Sequence, residues 1–236
     1  MVSQPPISIN TDMGEISSKK AVIWDMDGVI ADTGSYHLKG WQIVLQKTGK
    51  HYTEEEYRRN TGRRSDSILR DILGEKATQE EIAKITQEKE RIFKQLISQN
   101  IRPFPGVLKL ITSLKEHGFK TAIASSAPMG SIQLITRSLN IHKCFDIMLS
   151  GWDLTKSKPD PEIFLQAVEK LGVKAKDCIV IEDAIAGVTA SKRAGICCIA
   201  VTNTNPREAL KEADLVINSL EEITIDDLEK LLGQHK

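Results

Sequence analysis

Ala21-Val22-Ile23-Trp24-Asp25-Met26-Asp27-Gly28 decides the fold of this 236-residue chain. Four apolar residues in a row, stopped by an acid, predict a short strand buried on both faces. Similar runs recur, and each ends in polar residues. Thr121 to Ala124 ends at Ser125-Ser126, Cys178 to Ile181 at Glu182-Asp183, Cys197 to Val201 at Thr202-Asn203, and Leu215 to Ile217 at Asn218. Helical patterns separate them. Val107, Leu108, Leu110, Ile111 and Leu114 repeat at helical spacing and are closed by Gly118. Ile163, Phe164, Val168 and Leu171 are closed by Gly172, and a third pattern from Ala184 to Ala194 closes at Gly195. Glycine just past the last apolar position is a helix-ending signal. Strand and helix in alternation predict an α/β protein with a doubly wound parallel sheet, a Rossmann-like core.

A long stretch between the first and second strands, residues 34–102, interrupts this rhythm and carries no strand signal. Thr53 with Glu56 and Thr78 with Glu81 have capping-box spacing, and Ser65 is a candidate cap for another helix. Ile82, Ile85, Ile92, Phe93 and Leu96 make one apolar face on a fourth helix. Pro103-Phe104-Pro105-Gly106 forms a stiff turn back to the sheet. The expected organisation is a mobile tail at 1–19, a core made of 20–33 and 103–236, and an inserted all-helical cap domain at 34–102.

Composition excludes several functions. With 32 Lys+Arg against 32 Asp+Glu there is no bulk positive field to draw nucleic acid or an anionic membrane. A 40% hydrophobic, 27% charged chain fits a soluble globular protein. No apolar run approaches the roughly 18 residues of a membrane span. Cys144, Cys178, Cys197 and Cys198 make no C-x-x-C pair, so a reduced, cytoplasmic protein without a structural zinc is expected. A monomer is the default expectation.

In open parallel sheets ligands bind at the carboxyl ends of the strands, so the polar residues there are the site candidates. Asp25 and Asp27 are two apart and face one side of an extended chain. Gly28 lets the backbone turn sharply behind them. Ser125 ends the second strand. Lys158 sits in Ser157-Lys158-Pro159-Asp160-Pro161, where proline stiffens the backbone. Glu182-Asp183 places adjacent acids after a buried strand, a repulsion that a cation relieves. Each alone reads equally as a turn residue or a solvated side chain. Together they supply what phosphoryl transfer needs: a carboxylate nucleophile, a proton carrier, cations and hydrogen-bond donors.

The set Trp24-Asp25-Met26-Asp27-Gly28-Val29-Ile30, Ala124-Ser125-Ser126, Ser157-Lys158-Pro159 and Ile181-Glu182-Asp183 resembles the haloacid dehalogenase superfamily. The subgroup it resembles contains the β-phosphoglucomutases and small sugar phosphatases, and the likeness spans about residues 20–219. The resemblance implies that Asp25 attacks phosphorus and forms an aspartyl-phosphate, while Asp27 protonates the leaving oxygen and then activates the acceptor. It implies Mg²⁺ held by Asp25, the Asp27 carbonyl and Asp183, with Glu182 close by or bound through water. Ser125 and Lys158 would hold phosphate oxygens. In the cap it implies substrate contacts from His37, Arg64 (with Arg63 as its alternate) and Lys89, with Trp41 at a matching place; Ser126 joins them from the core. The mutases carry small polar and lysine residues after the motif serine, where this chain has Ala127, Pro128 and Met129. These three side chains cannot donate to a second phosphate. The expectation is therefore a phosphatase of a small phosphorylated metabolite, ahead of a phosphomutase. A receiver-like phospho-aspartate switch has its acid pair after the first strand and no lid; a non-catalytic scaffold would not need every catalytic group.

Overall fold

The computed structural model describes residues 20–98 and 101–235; the tail expected at 1–19 lies outside them. The chain begins with β1 (Ala21–Trp24) and then leaves the sheet for α1 (Gly34–Gln46), α2 (Glu54–Asn60), α3 (Ser65–Leu73) and α4 (Gln79–Ile97). It returns through α5 (Val107–Glu116), β2 (Lys120–Ser125), α6 (Met129–Ser138), β3 (Ile147–Ser150) and α7 (Glu162–Leu171). It finishes with β4 (Cys178–Glu182), α8 (Ile185–Arg193), β5 (Cys197–Val201), β6 (Leu215–Ile217) and α9 (Ile225–Gln234).

All six strands are parallel, in the order β3-β2-β1-β4-β5-β6. The chain winds outward from β1 to β3, then jumps back to lay β4 on the other side of β1. That reversal opens a crevice at the carboxyl ends of β1 and β4, where ligands bind in such sheets. Register brings the strand ends level: Trp24 lies opposite Ile123 and Ile181, and the Asp25 amide continues the ladder to the Ile181 carbonyl at 3.0 Å.

Alternation along β1 feeds two cores. Val22 and Trp24 pack with Leu110, Ile111, Ile135 and Leu228 under α5, α6 and α9, while Ala21 and Ile23 pack with Phe164 and Val188 under α7 and α8. A strand covered on both faces has to be apolar throughout, which is why β1, β4 and β5 read as unbroken hydrophobic runs. Helices α1 to α4 gather around a third core of their own, including Trp41, Leu45, Leu69 and Ile82. These helices are called the cap below.

The capping boxes at Thr53/Glu56 and Thr78/Glu81 are both formed, each contributing about 1 kcal/mol to its helix start. Ser65 does not cap α3: it is the first helical residue, and Arg64 occupies the cap position without a side-chain cap bond. Strand β3 and helices α1, α6 and α9 are additional to the elements read from the sequence, while the Thr78 start and the Ile82 face, read as two helices, belong to one, α4.

Candidate functional site

The acids of the first motif are set by the turn after β1. Gly28 adopts φ +86°, a left-handed conformation that suits glycine, and a Cβ there would overlap the Asp183 carboxylate. The turn leaves Asp25 buried at the strand end and Asp27 two residues on, with its side chain about 20% exposed. Asp27 Oδ1 accepts from the Thr33 hydroxyl at 2.7 Å and lies 3.1 Å from His37 Nε2. Burial pushes this carboxyl up, but His37 and Thr33 outweigh it and hold Asp27 below the ordinary carboxylate value.

Lys158 is buried under the sheet end and its ammonium is fully used. It donates to Asp25 Oδ1 at 2.6 Å, to Glu182 Oε1 at 2.6 Å and to the Ala124 carbonyl at 3.1 Å. Burial favours the neutral amine, yet the two carboxylates win and raise the lysine above its usual value. Glu182 is also well bonded: its Oε2 accepts from the amides of Asp183 and Ala184 at 3.0 and 3.1 Å. Gly187 makes room for it: a Cβ there would overlap the Glu182 carboxylate.

Asp183 is the exception. Both of its carboxylate oxygens are buried and make no hydrogen bond. Burial, with the charges of Glu182 and Asp25 nearby, pushes its carboxyl well above the ordinary range; the Thr204 hydroxyl close by only softens this. Asp25 is likewise pushed up to about 7 by burial, against the pull of Lys158. Oxygens of Asp25, Glu182 and Asp183 lie within 4.8 Å of one another. An all-oxygen set with an orphaned carboxylate fits a hard divalent cation such as Mg²⁺. Asp183 and Asp25 have the most free lone pairs to hold it, and Glu182, which accepts three bonds from Lys158 and the backbone, keeps one position on Oε1 within the same cluster.

The site faces a cavity of about 60 Å³ between core and cap. Asp25, Asp27, Ser125 and Ser126 line its core side, and His37, Arg63 and Lys89 reach it from the cap. Ser125 accepts from the Ala127 amide at 3.1 Å, and Ser126 donates to the Gly62 carbonyl of the cap at 2.6 Å. Arg64 is placed elsewhere. Its guanidinium pairs with Asp66, donates to the carbonyls of Gly151 and Leu154 at 3.1 and 2.8 Å, and lies over the Trp152 ring. Arg64 thus ties the cap to the core loop after β3, and Arg63 is the arginine on the cavity. Tyr52, Tyr57, Asn60, Thr61 and Ile68 also line it. None of these five stood out in the sequence, because helix packing in the cap brings them together and no motif spacing marks them.

A doubly wound sheet whose crevice holds a buried carboxylate–lysine–carboxylate cluster beneath a helical cap is an arrangement suited to phosphoryl transfer. The chain belongs to the haloacid dehalogenase-like hydrolases, whose family model matches residues 22–201, and it is a phosphoric monoester hydrolase. It is 37% identical over 203 residues to a phosphorylated carbohydrates phosphatase of Thermotoga maritima, covering 84% of this chain and 92% of that one. It is 33% identical over 225 residues to a β-phosphoglucomutase of Bacillus subtilis, covering 92% and 97%. A solved β-phosphoglucomutase structure from Clostridium difficile superposes with a TM-score of 0.83 at 28% identity, covering 92% of this chain and 98% of that one. Among the described residues, no helix is long and apolar enough to cross a membrane.

Proposed function

We propose that this protein hydrolyses a small phosphorylated carbohydrate, with Asp25 as the nucleophile and Mg²⁺ as the metal. One observation carries the choice of water over a second sugar phosphate as acceptor. Both cations that reach the cavity from the cap already have carboxylate partners: Lys89 with Glu90 at 2.8 Å, and Arg63 with Asp71 at 2.7 Å. On the core side, Ala127 lines the same cavity with a methyl group. A bisphosphate would bring two more charges to a surface with little left to pair them. A monophosphate places its only phosphate among the core groups and needs just a neutral donor from the cap, which the Tyr57 hydroxyl supplies.

The residues act in order. Asp25 attacks phosphorus in line with the leaving oxygen and becomes an aspartyl-phosphate. Lys158 and the Ser125 hydroxyl stand beside Asp25 to take the charge on the phosphate oxygens. Asp27 is ionised in the resting site; an incoming phosphate dianion raises its proton affinity, so that it takes up a proton from solvent before the cap closes and then delivers that proton to the leaving alkoxide. Ionised again, it removes a proton from the water that cleaves the acyl phosphate. Bound Mg²⁺ supplies charge neutralisation between carboxylate and phosphate. Ligand pockets hold roughly 300–1,000 Å³, so a cavity of about 60 Å³ describes a closed state, and the cap swings away to admit substrate.

Phosphorus NMR on β-glucose 1-phosphate with Mg²⁺ and a trace of the 1,6-bisphosphate tests the reading. Free phosphate is the expected product. Glucose 6-phosphate accumulating over many turnovers would show a mutase, the reading favoured by the likeness to the Bacillus subtilis enzyme.

The cation has a thermodynamic signature. The Asp25 carboxyl sits at about 7 in the folded, metal-free protein, against an ordinary 3.8. Between those values the folded state binds more protons than the unfolded chain. The stability from this group is therefore full below about pH 3.8 and is lost as pH climbs through about 7. A divalent cation replaces the missing proton. At a hundredfold excess over its Kd, Mg²⁺ is expected to add about 2.7 kcal/mol, or roughly 5–10 °C in Tm, at pH 8, and clearly less at pH 5. Equal shifts at both pH values in a thermal scan, or none, would remove the cation from this site.

A further inference from the structure

Lys89 and Glu90 are neighbours on α4, and a Lys-Glu pair on a helix ordinarily marks a solvated face. Here their side chains are only 3% and 11% exposed. A buried ammonium is tolerated only with good partners, and Lys89 has two: Glu90 Oε1 at 2.8 Å and His37 Nδ1 at 2.9 Å. An ammonium has no lone pair, so Nδ1 of His37 accepts. The imidazole proton must then sit on Nε2, 3.1 Å from Asp27 Oδ1, where it donates. The ring is held in that orientation by stacking on Phe93, with centroids 3.9 Å apart and planes within 6°. The other end of the line is also fixed. Glu90 Oε2 accepts at 3.0 Å from the hydroxyl of Ser131, a fully buried residue of α6 in the core. Ser131, Glu90, Lys89, His37 and Asp27 therefore form one hydrogen-bonded line from α6, through the cap, to the end of β1. The bond from Ser131 to Glu90 spans core and cap, so it exists only while the cap is docked.

We propose that Glu90 and Ser131 are positioning residues: docking of the cap lets Ser131 clamp Glu90, Glu90 anchors Lys89, and Lys89 fixes His37 in the tautomer that donates to Asp27. The proton carrier is thereby presented correctly only in the closed enzyme. This rests on Asp27 being that carrier. Without the carboxylate the buried ammonium keeps only the Trp41 and Phe93 rings and the more distant Asp27 as partners, and its hold on His37 is released. His37 Nδ1 then loses its donor, and the imidazole is free to place its proton on Nδ1. In that tautomer the Nε2 lone pair points at the Asp27 carboxylate, a repulsion where there had been a hydrogen bond.

The test uses Glu90→Gln, which keeps shape and loses charge, and Ser131→Ala, which keeps Glu90 and loses its clamp. Nitrogen-15 NMR of the imidazoles reads the His37 tautomer without any turnover, so it stands even if the wild type fails to hydrolyse phosphate esters. Wild type is expected to show a bare Nδ1 and a protonated Nε2, and Glu90→Gln a mixture of tautomers. With p-nitrophenyl phosphate, kcat of Glu90→Gln is expected to fall roughly 10- to 100-fold at little-changed KM, a part of the 10²–10⁴-fold that positioned proton transfer provides. Ser131→Ala should lose about 3- to 10-fold, the worth of one hydrogen bond. Glu90→Gln that keeps the wild-type tautomer overturns the proposal, whatever its kcat. If Glu90→Gln does not fold, Ser131→Ala with wild-type kcat and an unchanged tautomer overturns it equally.

Discussion

Asp25→Asn is expected to lose at least about 10⁴-fold in kcat while folding normally. The loss follows from the reaction. Phosphate monoesters are among the slowest compounds to hydrolyse unaided, so nearly all turnover depends on the enzyme's groups. An amide is no nucleophile toward phosphorus at neutral pH, and removing a nucleophile elsewhere has cost roughly 10⁶-fold. The normal folding follows from the electrostatics. Asp25 is held up at about 7 by burial, then by Glu182 and Asp27 against the pull of Lys158, so its charge is a burden on the metal-free fold. Asparagine has the same shape, and its carbonyl oxygen can still accept from Lys158. Lys158 also keeps Glu182 as its ion-pair partner. Urea midpoints for the metal-free proteins should therefore already favour the variant at pH 5, where folding of the wild type has to take up a proton on Asp25, and should favour it by more at pH 8. Mg²⁺ should stabilise the variant less than the wild type. A variant with ordinary turnover, once deamidation back to aspartate has been excluded by mass spectrometry, would end the nucleophile assignment.

The core of this arrangement was legible because a parallel sheet writes its site into strand ends. A fully buried strand has to be a hydrophobic run, and in such a sheet the polar residues that follow the strands around the reversal lie at the crevice. Asp25, Ser125 and Glu182-Asp183 follow from that rule, and Lys158 from its proline-stiffened loop. Strand β3 escaped because it is an edge strand: Ile147 and Met148 are only partly buried, so Ile147-Met148-Leu149 makes a short, weak run beside Asp146. The cap side of the cavity was far less legible. Its lining depends on which way short helices roll against one another, and a one-residue difference around Gly62 exchanges Arg63 for Arg64. Glu90 was invisible for a related reason. Its partner Ser131 lies on α6 of the core, 41 residues away in sequence, and nothing local distinguishes it from the half-buried Glu88 and exposed Arg91 that pair beside it.

Lys158→Met should produce the opposite pattern to Asp25→Asn, with both activity and fold lost in a pH-dependent way. Methionine matches the length of the lysine stem and suits the apolar walls, so any effect comes from the charge. The ammonium has three protons and three acceptors, two of them carboxylates at 2.6 Å. Removing it leaves Asp25, Glu182 and Asp183 buried with no cation, and breaking such a pair costs about 3–5 kcal/mol because the partners remain charged and unsolvated. The carboxylates can escape only by taking up protons, which costs little at pH 5 and more with each pH unit above it. Destabilisation should accordingly be small at pH 5 and near its full size at pH 8. Mg²⁺ should recover part of it, since a divalent ion bound by the same oxygens answers the same repulsion. Activity should not recover in parallel. The ion can neutralise the carboxylates from the side of Asp183, but the donor beside Asp25 is gone, and losing one such donor costs roughly 10²–10³-fold in kcat. Denaturation at pH 5 and 8, with and without Mg²⁺, separates the two effects. Destabilisation that is equal at both pH values would mean that Lys158 acts by packing alone, and the electrostatic account of the site would have to be abandoned.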